Sequence, residues 1–240
     1  MAEPDGRLSA IVRLEKPRSV DWFDAFIGYV AAGQIAPHVY RMLDSRLREG
    51  PSMAWPFVGH ACDVLVPLFW YVVLRRRFPI GTLQWRQLRP WVPYWIVALV
   101  VASCSIGAAL LLGLRSQLGD TIDLSIGGLA FLPFGPIGEE FLWRGLIQSG
   151  LNETLPFRLR ILRFEIGLGT LITAACFGIV HMGNAASQPY PVTCLQAASA
   201  FVGGLVLGIG YERTRNIWGA ILCHIVNNAT ATALIVFVTR

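Results

Sequence analysis

The stretch Ile126-Gly-Gly-Leu-Ala-Phe-Leu-Pro-Phe-Gly-Pro-Ile-Gly-Glu-Glu-Phe-Leu-Trp-Arg-Gly-Leu-Ile147 is apolar but for Glu139, Glu140 and Arg144. A charged side chain near the middle of a bilayer costs roughly 2.5 to 3.5 kcal/mol on insertion scales, so acids in such a place mark a functional site unless a partner neutralises them. Helical geometry supplies one partner. Glu140 and Arg144 stand four residues apart, on one helix face and within reach of an ion pair. Glu139 lies about 100° round the helix from Glu140 and is not the natural mate of Arg144. The roles of the two acids therefore divide: Arg144 neutralises Glu140 locally, and Glu139 must find its partners on another helix. Pro133 and Pro136 break the run just before the acids, and Pro136 suits the first turn of a helix that begins there.

Outward from this stretch the chain keeps the same character. Of its 240 residues 54% are hydrophobic and only 15% charged, which excludes an ordinary soluble domain and points to a polytopic membrane protein. The fold expected is all-α, a transmembrane bundle of about seven helices over 22–42, 54–74, 91–114, 126–147, 166–182, 195–211 and 217–238, each close to the length needed to cross ~30 Å of hydrocarbon. Asp24, Gln34, Pro37 and His38 interrupt the first, which is either tilted or re-entrant. Residues 1–21 form a cytoplasmic tail or interfacial helix, and 22–240 a single transmembrane domain with no internal boundary. The tail lacks the short basic and apolar pattern of a cleaved signal peptide, so the first span is expected to serve as an uncleaved insertion signal.

The net charge of +5 does not imply nucleic acid, because the basic residues sit between spans and form no continuous patch. They read as topology signals. Arg7, Arg13, Lys16 and Arg18 in the tail fall on the same side as Arg75, Arg76, Arg77, Arg86, Arg89, Arg158, Arg160, Arg163, Arg213 and Arg215, whereas the other side has only Arg41, Arg46, Arg48, Arg115 and Arg240. This bias orients the N-terminus to the cytoplasm. Cys62, Cys104, Cys176, Cys194 and Cys223 lie in or beside apolar segments without metal-ribbon spacing and read as free packing thiols. Gly204 and Gly208 make a small-xxx-small pair for close helix packing. His60 and Asp63 read as a structural pair, and the Trp and Tyr residues of 91–95 as an interfacial belt.

Three further polar positions recur inside apolar spans. In Phe177-Gly-Ile-Val-His181 the histidine has Phe177 one turn back on its own face, and in His224-Ile-Val-Asn-Asn228 the histidine shares a face with Asn228, with Asn227 slightly off it. One histidine in an apolar run is more often a hydrogen-bonded core residue than a catalyst. Glu139, His181, His224 and Asn228 on three separate spans are too costly together to be only structural glue.

These motifs, Glu139-Glu140-x-x-x-Arg144, Phe177-x-x-x-His181 and His224-x-x-x-Asn228, resemble in kind and order those of the CAAX-protease and bacteriocin-processing (CPBP/Abi) family of intramembrane endopeptidases, whose prenyl-protein branch is Rce1-like. The likeness covers about 126–240. It implies hydrolysis of peptide bonds in membrane-associated proteins or peptides, with Glu139 and His181 activating water and His224 and Asn228 stabilising the oxyanion. Glu140, Arg144 and Phe177 would support them. A carboxylate in lipid is a fitting general base, and donors facing a developing negative oxygen contribute about 10² to 10³ in rate in other hydrolases. No cofactor is expected. A zinc site using Glu139, His181 and His224 as ligands is the chemical alternative, though the His-Glu-x-x-His pattern is absent. A non-catalytic membrane chaperone or immunity module that keeps these residues as a hydrogen-bond lock is the alternative from another class. Serine catalysis has no G-x-S-x-G motif behind it. The partners expected are membrane lipid and a membrane-associated peptide or protein, without nucleic acid.

Overall fold

The structure, a computed structural model, describes residues 78–122, 124–161, 164–186 and 188–240, together with helical residues between 61 and 72. The tail, the first expected span and His60 lie outside the described residues, and with His60 goes its pairing to Asp63. In chain order the elements are α1 (Trp85–Leu111), α2 (Arg115–Gly119), α3 (Ile126–Glu140), a π-helical segment (Phe141–Gln148), α4 (Ser149–Thr154), the antiparallel hairpin β1 (Arg158–Ile161) and β2 (Phe164–Gly167), α5 (Leu168–His181) with a 3₁₀ turn (Met182–Ala186), α6 (Tyr190–Thr214) and α7 (Ile217–Thr239). Among the described residues four helices are long and apolar enough to cross a membrane: α1, α5 with its 3₁₀ extension, α6 and α7. The chain is an all-α integral membrane protein.

The 126–147 span departs from expectation in an informative way. Its helix does not begin at Pro136. Ser125 caps it by accepting the Gly128 N–H at 3.2 Å, and both Pro133 and Pro136 lie inside α3. Each proline removes one intrahelical donor, yet the turns on either side keep the rod continuous. Beyond Glu140 the rod widens into the π-helical segment, and the Ser149 hydroxyl donates to the Arg144 carbonyl at 3.1 Å, five residues back. Widened turns of this kind concentrate at functional sites because they re-aim side chains without breaking the helix.

Two other expectations are corrected. The 166–182 span starts late, at Leu168, because Phe164–Gly167 pairs with Arg158–Ile161 in a register that sets Arg160 opposite Glu165. The interfacial belt at 91–95 fails at Trp91, which is fully buried. Gly210 and Gly219 are the reason. A Cβ at Gly210 would meet the Trp91 ring at 2.6 Å, and Gly219 approaches the same indole still more closely, so the two glycines of α6 and α7 make the slot that holds it. Trp91 thereby joins Phe78, Phe141, Leu207, Tyr211, Ile217 and Ile221 in the main core.

Two close approaches position the motif helices. Gly204 of α6 faces the Ala174 backbone, and a Cβ at Gly208 would lie 2.8 Å from the Thr170 methyl, so α5 and α6 pack with their backbones near each other. At the start of α7, Asn216 accepts the Trp218 N–H at 2.9 Å and donates to Thr82 O at 2.9 Å, against Gly81 at φ +69°. This cap ties α7 to the segment before α1. The turn into it uses Arg215 in the left-handed region at φ 55° as the helix terminator of α6. Cys104, Cys176, Cys194 and Cys223 are free thiols.

Candidate active site

Glu140 sits fully buried at the last turn of α3. Its Oε2 meets Arg144 Nε at 3.1 Å, the i,i+4 pair anticipated from spacing, and its Oε1 meets His224 Nδ1 at 2.9 Å. The second contact goes beyond local neutralisation: Glu140 joins the first motif to the third. A carboxylate already paired with a guanidinium accepts, so His224 Nδ1 is the donor in that bond. The opposite ring nitrogen, Nε2, lies 3.7 Å from Glu139 Oε2, an ion-pair separation and too long for a direct hydrogen bond. His224 is thus held between the two acids.

Glu139 is the more open of the pair, with its side chain 20% exposed. It lines a cavity of about 910 Å³ together with Phe177, His181, His224, Asn227 and Asn228. Glu140 and Arg144 stand behind this wall. The Arg144 guanidinium lies over the Phe177 ring, its Cζ 5.1 Å from the ring centroid, within cation–π range. Phe177 is itself buried and touches both histidines edge to face, with centroids 4.7 Å from His181 and 5.9 Å from His224. The second-motif aromatic is a spacer between the two imidazoles.

His181 closes α5 and bonds through Nδ1 to the Phe177 carbonyl at 2.7 Å. A carbonyl can only accept, which makes Nδ1 the protonated nitrogen and leaves the Nε2 lone pair of the neutral ring available to take a proton. On α7, Asn228 Oδ1 accepts from Asn227 Nδ2 at 3.3 Å. Every residue singled out from the three motifs is therefore either on the cavity wall or in the layer directly behind it.

Sequence reasoning missed several polar neighbours. Asn227 lines the cavity although its helical phase set it aside. Asn184 donates to Gln196 at 3.0 Å and Ser105 donates to Ser199 at 2.8 Å, all four on the cavity wall. The available signal was polar residues interrupting apolar runs on α1, α6 and α7 and in the turn after α5, which by itself does not say which way they face. Among the described residues no group of three or more His, Cys, Asp and Glu is arranged to hold a metal ion.

Comparison with known proteins bears on one part of the chain. No curated protein and no solved structure matches it. A family model does: residues 121–230 match that of the type II CAAX prenyl endopeptidase Rce1-like proteins. The match contains all three motifs and points to a protease working in a lipid environment on peptide or protein substrates. Over this stretch, from before α3 to within α7, the chain is similar to the type II CAAX prenyl endopeptidase Rce1-like proteins.

Proposed function

We propose that the protein is an intramembrane endopeptidase that hydrolyses a peptide bond of a membrane-associated protein or peptide by direct attack of water. The observation that carries this reading is that the three motifs, on three different helices, line one cavity. Among the described residues that line the cavity Glu139 is the one acid and there is no lysine or arginine, which suits an uncharged segment of substrate.

In this reading Glu139 and the free Nε2 of His181 orient a water molecule and take its proton as its oxygen bonds to the scissile carbonyl carbon. The carbonyl oxygen gains the negative charge and is met by donors from His224 Nε2 and Asn228 Nδ2. Collapse of the tetrahedral intermediate breaks the C–N bond, and the abstracted proton passes to the leaving amine. His224 serves as donor when both ring nitrogens carry protons, and it stands between two carboxylates, 2.9 Å and 3.7 Å away. With Glu139, Glu140, Arg144 and His224 all charged, the cluster is neutral in sum, which is how buried charges are tolerated. No covalent enzyme intermediate and no metal enter the scheme.

The test is cleavage of an internally quenched farnesylated CAAX peptide by the purified full chain in detergent. The reading expects turnover that survives exhaustive chelation and disappears in His181→Ala. Turnover lost to chelation and restored by stoichiometric zinc would assign the chemistry to a metal held by Glu139, His181 and His224. Hydrolysis unaffected by His181→Ala would remove the histidine from the mechanism.

A further inference from the structure

The oxyanion role assigned above to Asn228 requires its amide to face the cavity with nitrogen, not oxygen. A primary amide flips between two orientations of nearly equal shape, so something must choose. Asn228 Nδ2 makes no hydrogen bond among the described residues, whereas Asn228 Oδ1 accepts from Asn227 Nδ2 at 3.3 Å. Asn227 and Asn228 both line the cavity and both are partly buried. The Asn227 Oδ1 atom is shielded and meets no donor among the described residues, so its side chain works here through its nitrogen alone.

We propose that Asn227 is a positioning residue for hydrolysis: by donating to Asn228 Oδ1 it fixes the orientation in which Asn228 presents Nδ2 to the substrate oxygen. The proposal rests on the oxyanion reading of Asn228 and adds a residue that the third motif, His224-x-x-x-Asn228, does not specify. The physical basis is the asymmetry of the alternative. With the amide reversed, Asn228 would turn a lone pair toward a developing negative charge, and its nitrogen would face the Asn227 amide nitrogen, donor against donor. Reversing Asn227 as well would restore a bond between the two amides, but would bury the Asn227 amide hydrogens in the shielded position where its Oδ1 now meets no partner among the described residues. Preorganising a donor before charge develops is the feature that makes oxyanion sites effective, since no reorientation is left for the transition state.

The experiment is steady-state hydrolysis of the same farnesylated CAAX peptide by the full chain and its asparagine variants. Asn228→Ala should lower kcat by about 10² to 10³-fold, the cost of one lost oxyanion donor. Asn227→Ala should lower kcat by about tenfold with KM within about twofold, since only a transition-state interaction is weakened. In the Asn228→Ala background, Asn227→Ala should cost nothing further, because the residue it positions is gone. Asn227→Gln, which keeps a donor, should recover part of the rate. If Asn227→Ala does not fold, Asn227→Leu keeps the volume and removes the donor.

A wild-type rate in Asn227→Ala beside a damaged Asn228→Ala would overturn the proposal alone, as would losses that multiply in the double variant. A wild-type rate in Asn228→Ala would instead overturn the oxyanion reading beneath it. A second readout needs no turnover. In protein labelled with ¹⁵N at asparagine, the Asn228 side-chain amide signal, identified by its absence from Asn228→Ala, should move in Asn227→Ala; an unmoved signal overturns the proposal even where the peptide is not cleaved.

Discussion

Two buried polar clusters lie along the same helices and behave differently. One is the site around Glu139, Glu140, Arg144, His181 and His224. The other lies further along, where Thr170 of α5 accepts from Gln148 at 2.9 Å and from Asn152 at 3.1 Å and donates to Glu212 at 2.8 Å. Gln148 also donates to Gly208 O at 2.9 Å, while Glu212 accepts the Gly167 N–H at 3.1 Å and pairs with Arg158. The Thr170 hydroxyl is saturated there, and none of these residues lines the cavity. In the first cluster Glu139, His181, Asn227 and Asn228 all reach open space. Polar groups in apolar helices are thus of two kinds: those whose bonds close on one another lock the bundle, and those left facing a cavity are free to act on a substrate.

The sharpest way to break the comparison is Glu139→Gln. Gln keeps the shape but cannot accept the proton of water, so peptide hydrolysis should fall by at least about 10²-fold while the thermal midpoint in detergent stays close to wild type. Cleavage by this variant at the wild-type rate would put Glu139 with the structural residues and assign the base to another group.

Glu140→Gln should fail in both ways at once. It strands the fully buried Arg144, and removing one partner of a buried pair costs about 3 to 5 kcal/mol, so folded yield should drop. It also weakens the hold on His224 Nδ1, so activity per folded molecule should drop as well. Adding Arg144→Met should restore yield by removing the orphan charge but leave activity low. Recovery of both in the double variant would mean that Glu140 serves only to neutralise Arg144.

The second cluster should respond in the opposite sense. Thr170→Val deletes one donor and one shared acceptor, so unfolding in detergent should show a loss of about 1 to 3 kcal/mol, with kcat/KM per folded molecule unchanged. A fall in kcat/KM without loss of stability would erase the distinction between the clusters. The smallest effect is expected at the rim, where Ser199→Ala removes the 2.8 Å bond from Ser105. Interhelical side-chain hydrogen bonds in membranes average about 0.6 kcal/mol, and a shift of that size in the same unfolding measurement, with the rate preserved, is the expectation.

What could be read from residues alone followed from period and cost. Long apolar runs required helices because lipid offers backbone groups no other partner, and the price of charge in such runs singled out Glu139, Glu140, Arg144, His181 and His224 before any fold was known. The Glu140–Arg144 pair was legible because both partners belong to one helix, where spacing is distance. Contacts between helices carried no such ruler. That Glu140 also binds His224, that Phe177 stands between Arg144 and the two histidines, and that Asn227 turns to Asn228 depend on the rotation of α3, α5 and α7 about their axes. Those rotations are set by the π-helical widening after Glu140, by the Asn216 cap on α7, and by glycines at 204, 208, 210 and 219 that let neighbouring backbones and the Trp91 ring come close. Helical periodicity states which residues share a face, and only packing decides what that face meets.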